Sequence, residues 1–514
     1  MSASVIRGRY VVTGGTDGRP FTVIEDGAVR QEDGTIVEVG HAAALMQAHP
    51  ADLIVGSPDD VVLPGLVNGH HHVGLTPFQL GSPDYPLELW FASRLAARDV
   101  DPYLDTLYSA FEMLESGITT VQHLHGWRGG PASRVRQVAE RVLQAYEDVG
   151  MRVAYSYALR DQNRLVYEAD EAFCARLPRE LGAQMAEHLG AQTIPLPDHL
   201  QLFEDLWEHA GRNRRDRVRV QLAPANLHWC SDEALRALGD RAEKFDVGMH
   251  MHLVETAYQK EYARRRAGST ALEHLSALGL LGPRMTLGHG VWLNEADIDL
   301  AARTGTMVCH NASSNLRLRS GVAPLNAFAA RGIRVALGLD EAGINDDRDM
   351  FQEMRLVLRL HRVPGMDDAV PTSTQVLGMA TVGGAATTGF ADRVGAIDRG
   401  RAADLVLMPW RSIAYPYLDP DTSVIDAVVH RGRASAVHTV MVGGEIVLTD
   451  GRPTRVDKSA ILDELATSLR APLRPHELRR RELSRAVFPH VKHFYDGWLD
   501  ESTRRPFYAC SSRV

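Results

Sequence analysis

An apolar, strand-like run that stops at histidine constrains this chain more than any other feature: Leu63-Pro64-Gly65-Leu66-Val67-Asn68-Gly69-His70-His71-His72. Side chains two apart on a strand point to one side, so His70 and His72 face the same way and His71 faces the other. Two neutral imidazoles presented together can begin a metal site. Alone, His-x-His is a weak sign, because surface histidines produce it as well. Later runs strengthen it. One ends in Met249-His250-Met251-His252-Leu253-Val254-Glu255, another in Gly288-His289 and another in Gly338-Leu339-Asp340.

Strand-like runs end near His72, His125, Tyr157, Pro224, His252, His289, His310 and Asp340, and most of the gaps between them can hold a helix. Residues 101–116 read as a helix closed by Gly117, and residues 231–244 as one opened by Ser231-Asp232-Glu233. Strands alternating with helices predict an α/β chain, a (β/α)8 TIM-type barrel over 61–399 with its chemistry at the C-terminal ends of the strands. Residues 1–60 and 400–455 carry shorter strand runs, such as 21–24, 35–39, 404–408 and 439–444, with turns at Asp26-Gly27 and Asp33-Gly34.

With those residues in view, the chain resembles the amidohydrolase superfamily over roughly 5–450, in the branch of cytosine, guanine and S-adenosylhomocysteine deaminases and triazine hydrolases. The motifs are Pro-Gly-Leu-Val-Asn-Gly-His-His-His at 64–72, Ser-Gly-Ile-Thr-Thr-Val at 116–121, His-Leu-Val-Glu-Thr at 252–256, His289, Asn-Ala-Ser-Ser-Asn-Leu at 311–316, Gly-Leu-Asp at 338–340 and Gly-Arg-Ala-Ala-Asp-Leu-Val at 400–406. The resemblance implies that the two chain ends form a small β-sandwich beside the barrel. It also implies one divalent metal ion per chain, zinc or else iron, on His70, His72, His252 and Asp340. Catalytic roles then fall to Asp340 as proton acceptor, Glu255 as proton shuttle and His289 as the group that polarises the attacked centre. Each has a plainer reading: a core histidine at 289, a solvent-facing helix start at 255, an N-cap at 340.

Departures from the family pattern bear on substrate. Relatives often carry a histidine after the fourth strand where this chain has Ala225, in Ala223-Pro224-Ala225-Asn226-Leu227-His228. Asn226 and His228 are the candidate replacements. The loop after Asp340 adds Glu341, Asp346 and Asp347, which either attract a cationic substrate or, as the preferred reading, cap the next helix. His123 and His125 form a further His-x-His, but the fourth strand, Arg217-Val218-Arg219-Val220-Gln221, has no lysine for the carboxylated bridge of two-metal relatives. One metal is expected, with His123 and His125 either facing substrate or supporting the metal's ligands from behind. Glu88 and Trp90 lie in the loop after the first strand, where relatives place such residues over the substrate, and Arg160 follows the third. The substrate contacts expected are therefore Glu88, Trp90, His125, Arg160, Asn226 and His228.

Composition sets the outer bounds. The chain has 514 residues, 45% of them hydrophobic, enough for a large core. Its formal charge of -9 and the lack of a binding module argue against nucleic acid, despite the basic and aromatic residues mixed in 479–498. Cys174, Cys230, Cys309 and Cys510 are widely spaced and suggest neither disulfides nor a cysteine zinc site. No signal-peptide or membrane-span run is seen, so a cytoplasmic enzyme acting on a small molecule is expected. Residues 456–514 read as a helical extension that packs on a neighbouring subunit of a homo-oligomer. The favoured activity is removal of an exocyclic amine from a nitrogen heterocycle, and the alternative is hydrolysis of an amide or urea C–N bond.

Overall fold

The structure is a computed structural model that describes residues 3–16, 19–126, 129–213, 215–366 and 370–500. The end of the expected extension, 501–514 with Cys510, lies outside the described residues. Barrel strands follow one another in chain order. Leu66–His71, Ile118–His125, Arg152–Leu159 and a split strand, Val218–Val220 and Ala223–Pro224, make one parallel arc. Met249–Leu253, Met285–His289, Met307–His310 and Val335–Leu337 make the other. Single bridges close the ring, Leu222 with Met249 and Asn226 with His252 at one seam, His71 with Asp340 at the other. The second seam is held by the Asp340 N–H, which donates to the His70 carbonyl at 2.8 Å.

Both faces of these strands are covered, which is why they read as continuous apolar runs rather than as alternation. The helices between them start where the chain offers caps. The Asp101 carboxylate accepts from the N–H groups of Tyr103 and Leu104 and opens Pro102–Glu115, and Gly117 leaves that helix at φ 82°. The Ser231 hydroxyl accepts from the Ala234 N–H and opens Asp232–Phe245.

The chain ends build one nine-stranded mixed sheet, joined where Asp60–Pro64 runs antiparallel to Leu405–Pro409. It curls over a small core of its own, since Ile6, Val29 and Ile36 from one end pack with Leu405, Leu407 and Met441 from the other. At the closure Gly34 (φ +85°) meets Gly443, and a Cβ on Gly34 would lie 2.4 Å from the Gly443 carbonyl oxygen. Asp404 ties this unit to the barrel. Its carboxylate accepts from Arg152 at 2.6 and 3.0 Å, both groups buried, and from the Gly443 N–H at 2.7 Å.

After the sheet, helices Lys458–Arg470 and Pro475–Phe494 lie on the same chain's barrel. The first packs Leu465 against Leu75 and Leu104. The second runs along Leu87–Arg94: Ser484 Oγ donates to the Ala92 carbonyl at 2.8 Å, and Arg480 to the Ala97 carbonyl at 2.7 Å. Among the described residues no helix is long and apolar enough to cross a membrane.

Candidate active site

Four strand ends bring their polar residues to one point. The Nε2 atoms of His70, His72 and His252 form a triangle with sides of 3.0, 3.0 and 3.1 Å. Asp340 Oδ1 lies 3.2 Å from the His72 corner and 3.7 Å from the His70 corner. His72 Nδ1–H donates to the Leu124 carbonyl at 2.6 Å, and His252 Nδ1–H to the Ala225 carbonyl at 2.8 Å. With the proton held at Nδ1, the lone pair of each ring is at Nε2, aimed at its neighbours. Burial first, and the neighbouring rings second, hold His70 and His252 well below the usual histidine range, so both stay in the neutral form that ligates. Burial opposes a charge on His72, but the hydrogen bond and charge of Asp340 outweigh it and raise this ring. Burial likewise opposes the Asp340 anion, yet His72, His289 and Ser314 keep it well below the carboxylate range. Three imidazoles and an ionised carboxylate, buried except for a partly exposed His252, fit one divalent cation of the zinc or iron type.

Backbone strain marks the same place. Val254, His289 and Asp340 take positive φ of 42°, 72° and 54°, a conformation costing of order 1–3 kcal/mol for each such residue. Next to Asp340, a Cβ on Gly338 would lie 2.5 Å from His70 Cβ, so the closure admits only glycine there.

Around the donor set lie groups able to move protons. Glu255 is 3% exposed. Its Oε1 accepts from Ser320 Oγ at 3.1 Å, and its Oε2 lies 3.6 Å from His289 Nε2. Burial raises this carboxyl to about 7, with His289 offsetting part of the effect. A carboxyl poised there both gives and takes protons at neutral pH. His289 Nδ1–H donates to Asn315 Oδ1 at 2.9 Å, which turns its Nε2 edge toward Glu255 and, at 3.8 Å, Asp340 Oδ2. Ser314 Oγ donates to Asp340 Oδ2 at 2.6 Å. Ser314 and Asn315 both sit on the short helix Ala312–Arg317, which Glu353 secures by accepting from the Ser313 N–H at 3.0 Å.

The amidohydrolase family profile matches residues 61–447. The chain belongs to the amidohydrolase family. It is 30% identical to a 5-methylthioadenosine/S-adenosylhomocysteine deaminase of Pyrococcus furiosus, over 87% of this chain and 96% of that one. A 5'-deoxyadenosine deaminase of Methanothermobacter thermautotrophicus is also 30% identical, over 88% and 95%. Among solved structures, a zinc-bound adenosine deaminase from Xanthomonas campestris superposes with a TM-score of 0.74 at 25% identity, covering 94% of this chain and 99% of that one. This amidohydrolase is accordingly a metal-dependent hydrolase of C–N bonds with a TIM-type barrel.

Above the donor set the amidohydrolase opens a cavity. Leu87, Trp90, Phe91 and Leu318 make its apolar wall; His72, His252, Glu255, His289 and Asp340 lie at its floor. Of the contacts expected from the sequence, Trp90, Arg160 and Asn226 line it. The Arg160 guanidinium stacks on Trp229 at 4.0 Å, and burial lowers it to about 10. Asn226 Oδ1 accepts from the Leu227 N–H at 2.7 Å, and Ala225 contributes its carbonyl to His252.

Glu88, His125 and His228 are not among the residues that line this cavity. Residues Leu87–Arg94 form a helix rather than a loop, so the cavity receives 87, 90 and 91 at helical spacing while Glu88 turns behind them. Its buried carboxyl accepts from Thr256 and, at 2.9 Å, from the Tyr167 hydroxyl. On its strand Leu124 takes the cavity side, and His125 faces the other way, stacked on His123. His228 is buried between Tyr167 and Trp229, at 4.2 and 4.3 Å.

The acidic loop also differs from its preferred reading as a helix cap. Asp349 caps Met350–Leu360, accepting from the Phe351 and Gln352 N–H groups. Asp346 pairs with Arg317 at 2.8 Å, Asp347 accepts from Gln352 at 3.1 Å, and Glu341 lines the cavity beside Arg94. Sequence reasoning also passed over Gln259, Leu87 and Phe91, for which only the helical spacing of 87, 90 and 91 gave a signal. Among the described residues, every group able to hold a metal includes His70, and none includes His123 or His125.

Proposed function

We propose that this amidohydrolase is an aminohydrolase that replaces an exocyclic amine on a nitrogen heterocycle by oxygen, with zinc as its metal. The observation that carries the reading is Glu255, a buried carboxyl raised to about 7 at the edge of the donor set. His70, His72, His252 and Asp340 would hold the metal. When bound, a divalent cation supplies Lewis acidity that makes water a competent nucleophile at neutral pH. Asp340, ionised and fixed through Oδ2 by Ser314, takes the proton released as water attacks the amine-bearing carbon. Glu255 gives its proton to the adjacent ring nitrogen and, now a carboxylate, carries the proton of the added hydroxyl to the departing amine as the C=O bond forms and the C–N bond breaks. His289, oriented by Asn315, stands where it steadies the tetrahedral centre through the heteroatoms bonded to the attacked carbon.

The aromatic wall formed by Trp90 and Phe91 suits a flat ring better than an acyclic amide or urea. The adenosine-directed names of the relatives support a purine-like ring. A small-molecule substrate, a cytoplasmic location and a homo-oligomeric state belong to the same proposal. The test is ammonia release by zinc-loaded protein over aminated purines, pterins, pyrimidines and triazines, with amides and ureas as the comparison set. Ammonia from a heterocycle is expected. Turnover confined to the amides and ureas would overturn the aminohydrolase reading.

A further inference from the structure

His72 and His252 are each fixed by a backbone carbonyl, but His70, the most buried of the three rings, is fixed by another imidazole. Its Nδ1 lies 2.8 Å from Nε2 of His250, and both residues are fully buried. His250 stands two residues before His252 on Met249–Leu253, so its side chain points to the same side of the strand, one layer further from the mouth. That places it under the donor set instead of in it. Its backbone is anchored as well, by an N–H that donates to the Leu222 carbonyl at 2.9 Å across the barrel seam. The next strand covers the contact with a glycine. A Cβ on Gly288 would lie 3.1 Å from His70 Cε1 and 3.3 Å from His250 Nε2, so a side chain at 288 and this hydrogen bond compete for one space.

Between two neutral rings the contact can hold its proton in two ways. If His250 Nε2–H donates, His70 carries its own proton at Nε2, the atom in the triangle, and no lone pair is left there. If His70 Nδ1–H donates, Nε2 is free to ligate and His250 must accept. Only the second arrangement suits the donor set. Cys309 Sγ also lies within 4.8 Å of both rings, but it donates to Asn311 Oδ1 at 3.5 Å, which leaves His250 and His70 as a pair. Resting on the metal set of the proposed function, we propose that His250 is a positioning residue for the metal. By accepting from His70 Nδ1–H it holds the His70 lone pair at Nε2 and aims it into the triangle, as the Leu124 and Ala225 carbonyls do for His72 and His252. The His-x-His at 250–252 thus divides its work: one ring takes the ion, and the other orients a ligand of the ion.

Zinc affinity, measured by chelator competition on the purified protein and independent of turnover, tests this with two variants of similar bulk. His250→Gln keeps an acceptor in the place of Nε2 and should hold zinc within about threefold of wild type, while His250→Met removes the acceptor and should weaken zinc about 10- to 100-fold. Gly288→Ala leaves His250 intact and crowds the bond from the next strand, so it should weaken zinc about threefold or more. Zinc held by His250→Met as tightly as by wild type would overturn the proposal. Equal losses in the Gln and Met variants would overturn it too, because a ring that only fills space is missed equally in both. A second zinc equivalent in the wild-type protein that His250→Met lacks would make His250 a ligand, with the same consequence. Should His250→Met fail to fold, unchanged affinity in Gly288→Ala decides against the proposal. His252→Ala keeps the two readings apart, since it empties the site if the metal set is right, whatever the outcome at His250.

Discussion

The floor of the cavity and its wall are built by different means. At the floor, His70, His72, His252, His289 and Asp340 stand at or just past strand ends, where seam hydrogen bonds tie the Asp340 N–H to the His70 carbonyl and the His252 N–H to the Ala225 carbonyl. The wall hangs on one short helix, Leu87–Arg94, held from behind by Ser484 and Arg480 of the C-terminal extension. The extension also reaches the buried support of Glu88, since Tyr167 packs against Tyr495 and Trp498 at 5.3 and 5.9 Å. Chemistry is thus set in the barrel itself, while the surface that meets the substrate depends on a segment from the far end of the chain. Changes at the floor should abolish turnover, and changes behind the wall should shift affinity.

The largest break should come from removing a floor ligand. His252→Ala is expected to lose bound metal and to lower turnover by about a thousandfold or more, read by mass-spectrometric metal content and by ammonia release. Glu255→Gln should separate the two readouts, with a fall of about a hundredfold or more in kcat and metal retained. Loss of metal in that variant would make Glu255 a structural group. The same residue sets a pH limb. Its acid form predominates below about 7, so kcat should fall as pH rises through that value. The Gln variant, having no such proton, should lack the limb.

A smaller effect tests the supports of the floor. Ser314→Ala removes the hydrogen bond to Asp340 Oδ2 and is expected to weaken metal affinity or turnover about 10- to 100-fold. The smallest tests the wall. Ser484→Ala should lower stability by about 1 kcal/mol in denaturant unfolding and raise KM a few-fold, leaving kcat and metal content at wild-type levels. An equal drop in kcat would show that wall and floor are not separable.

The barrel was legible because parallel strands buried on both faces leave apolar runs, and because Asp101, Gly117 and Ser231 punctuate the helices between them. The strand histidines could be picked out by their alternation. That their Nε2 atoms converge within 3.1 Å is a property of barrel closure, which no local pattern contains. Ser314, Asn315 and Glu353 went without roles because their partners, Asp340, His289 and Ser313, are brought to them only by tertiary structure. Glu88 was placed in the cavity on the premise of a loop, and the helical turn at Leu87–Arg94 carries it away. Glu341 was hidden for a similar reason: the helix cap it was read as is supplied by Asp349. The helical extension was legible as helix, and part of the surface it covers is on its own barrel.

Metal per chain, measured by mass spectrometry on the purified protein and on His252→Ala, tests the central claim most directly. The account predicts one equivalent of a divalent metal in the protein and essentially none in the variant. One equivalent retained by the variant, or none in the wild-type protein after reconstitution, would contradict the assignment of His70, His72, His252 and Asp340 as the metal-holding set.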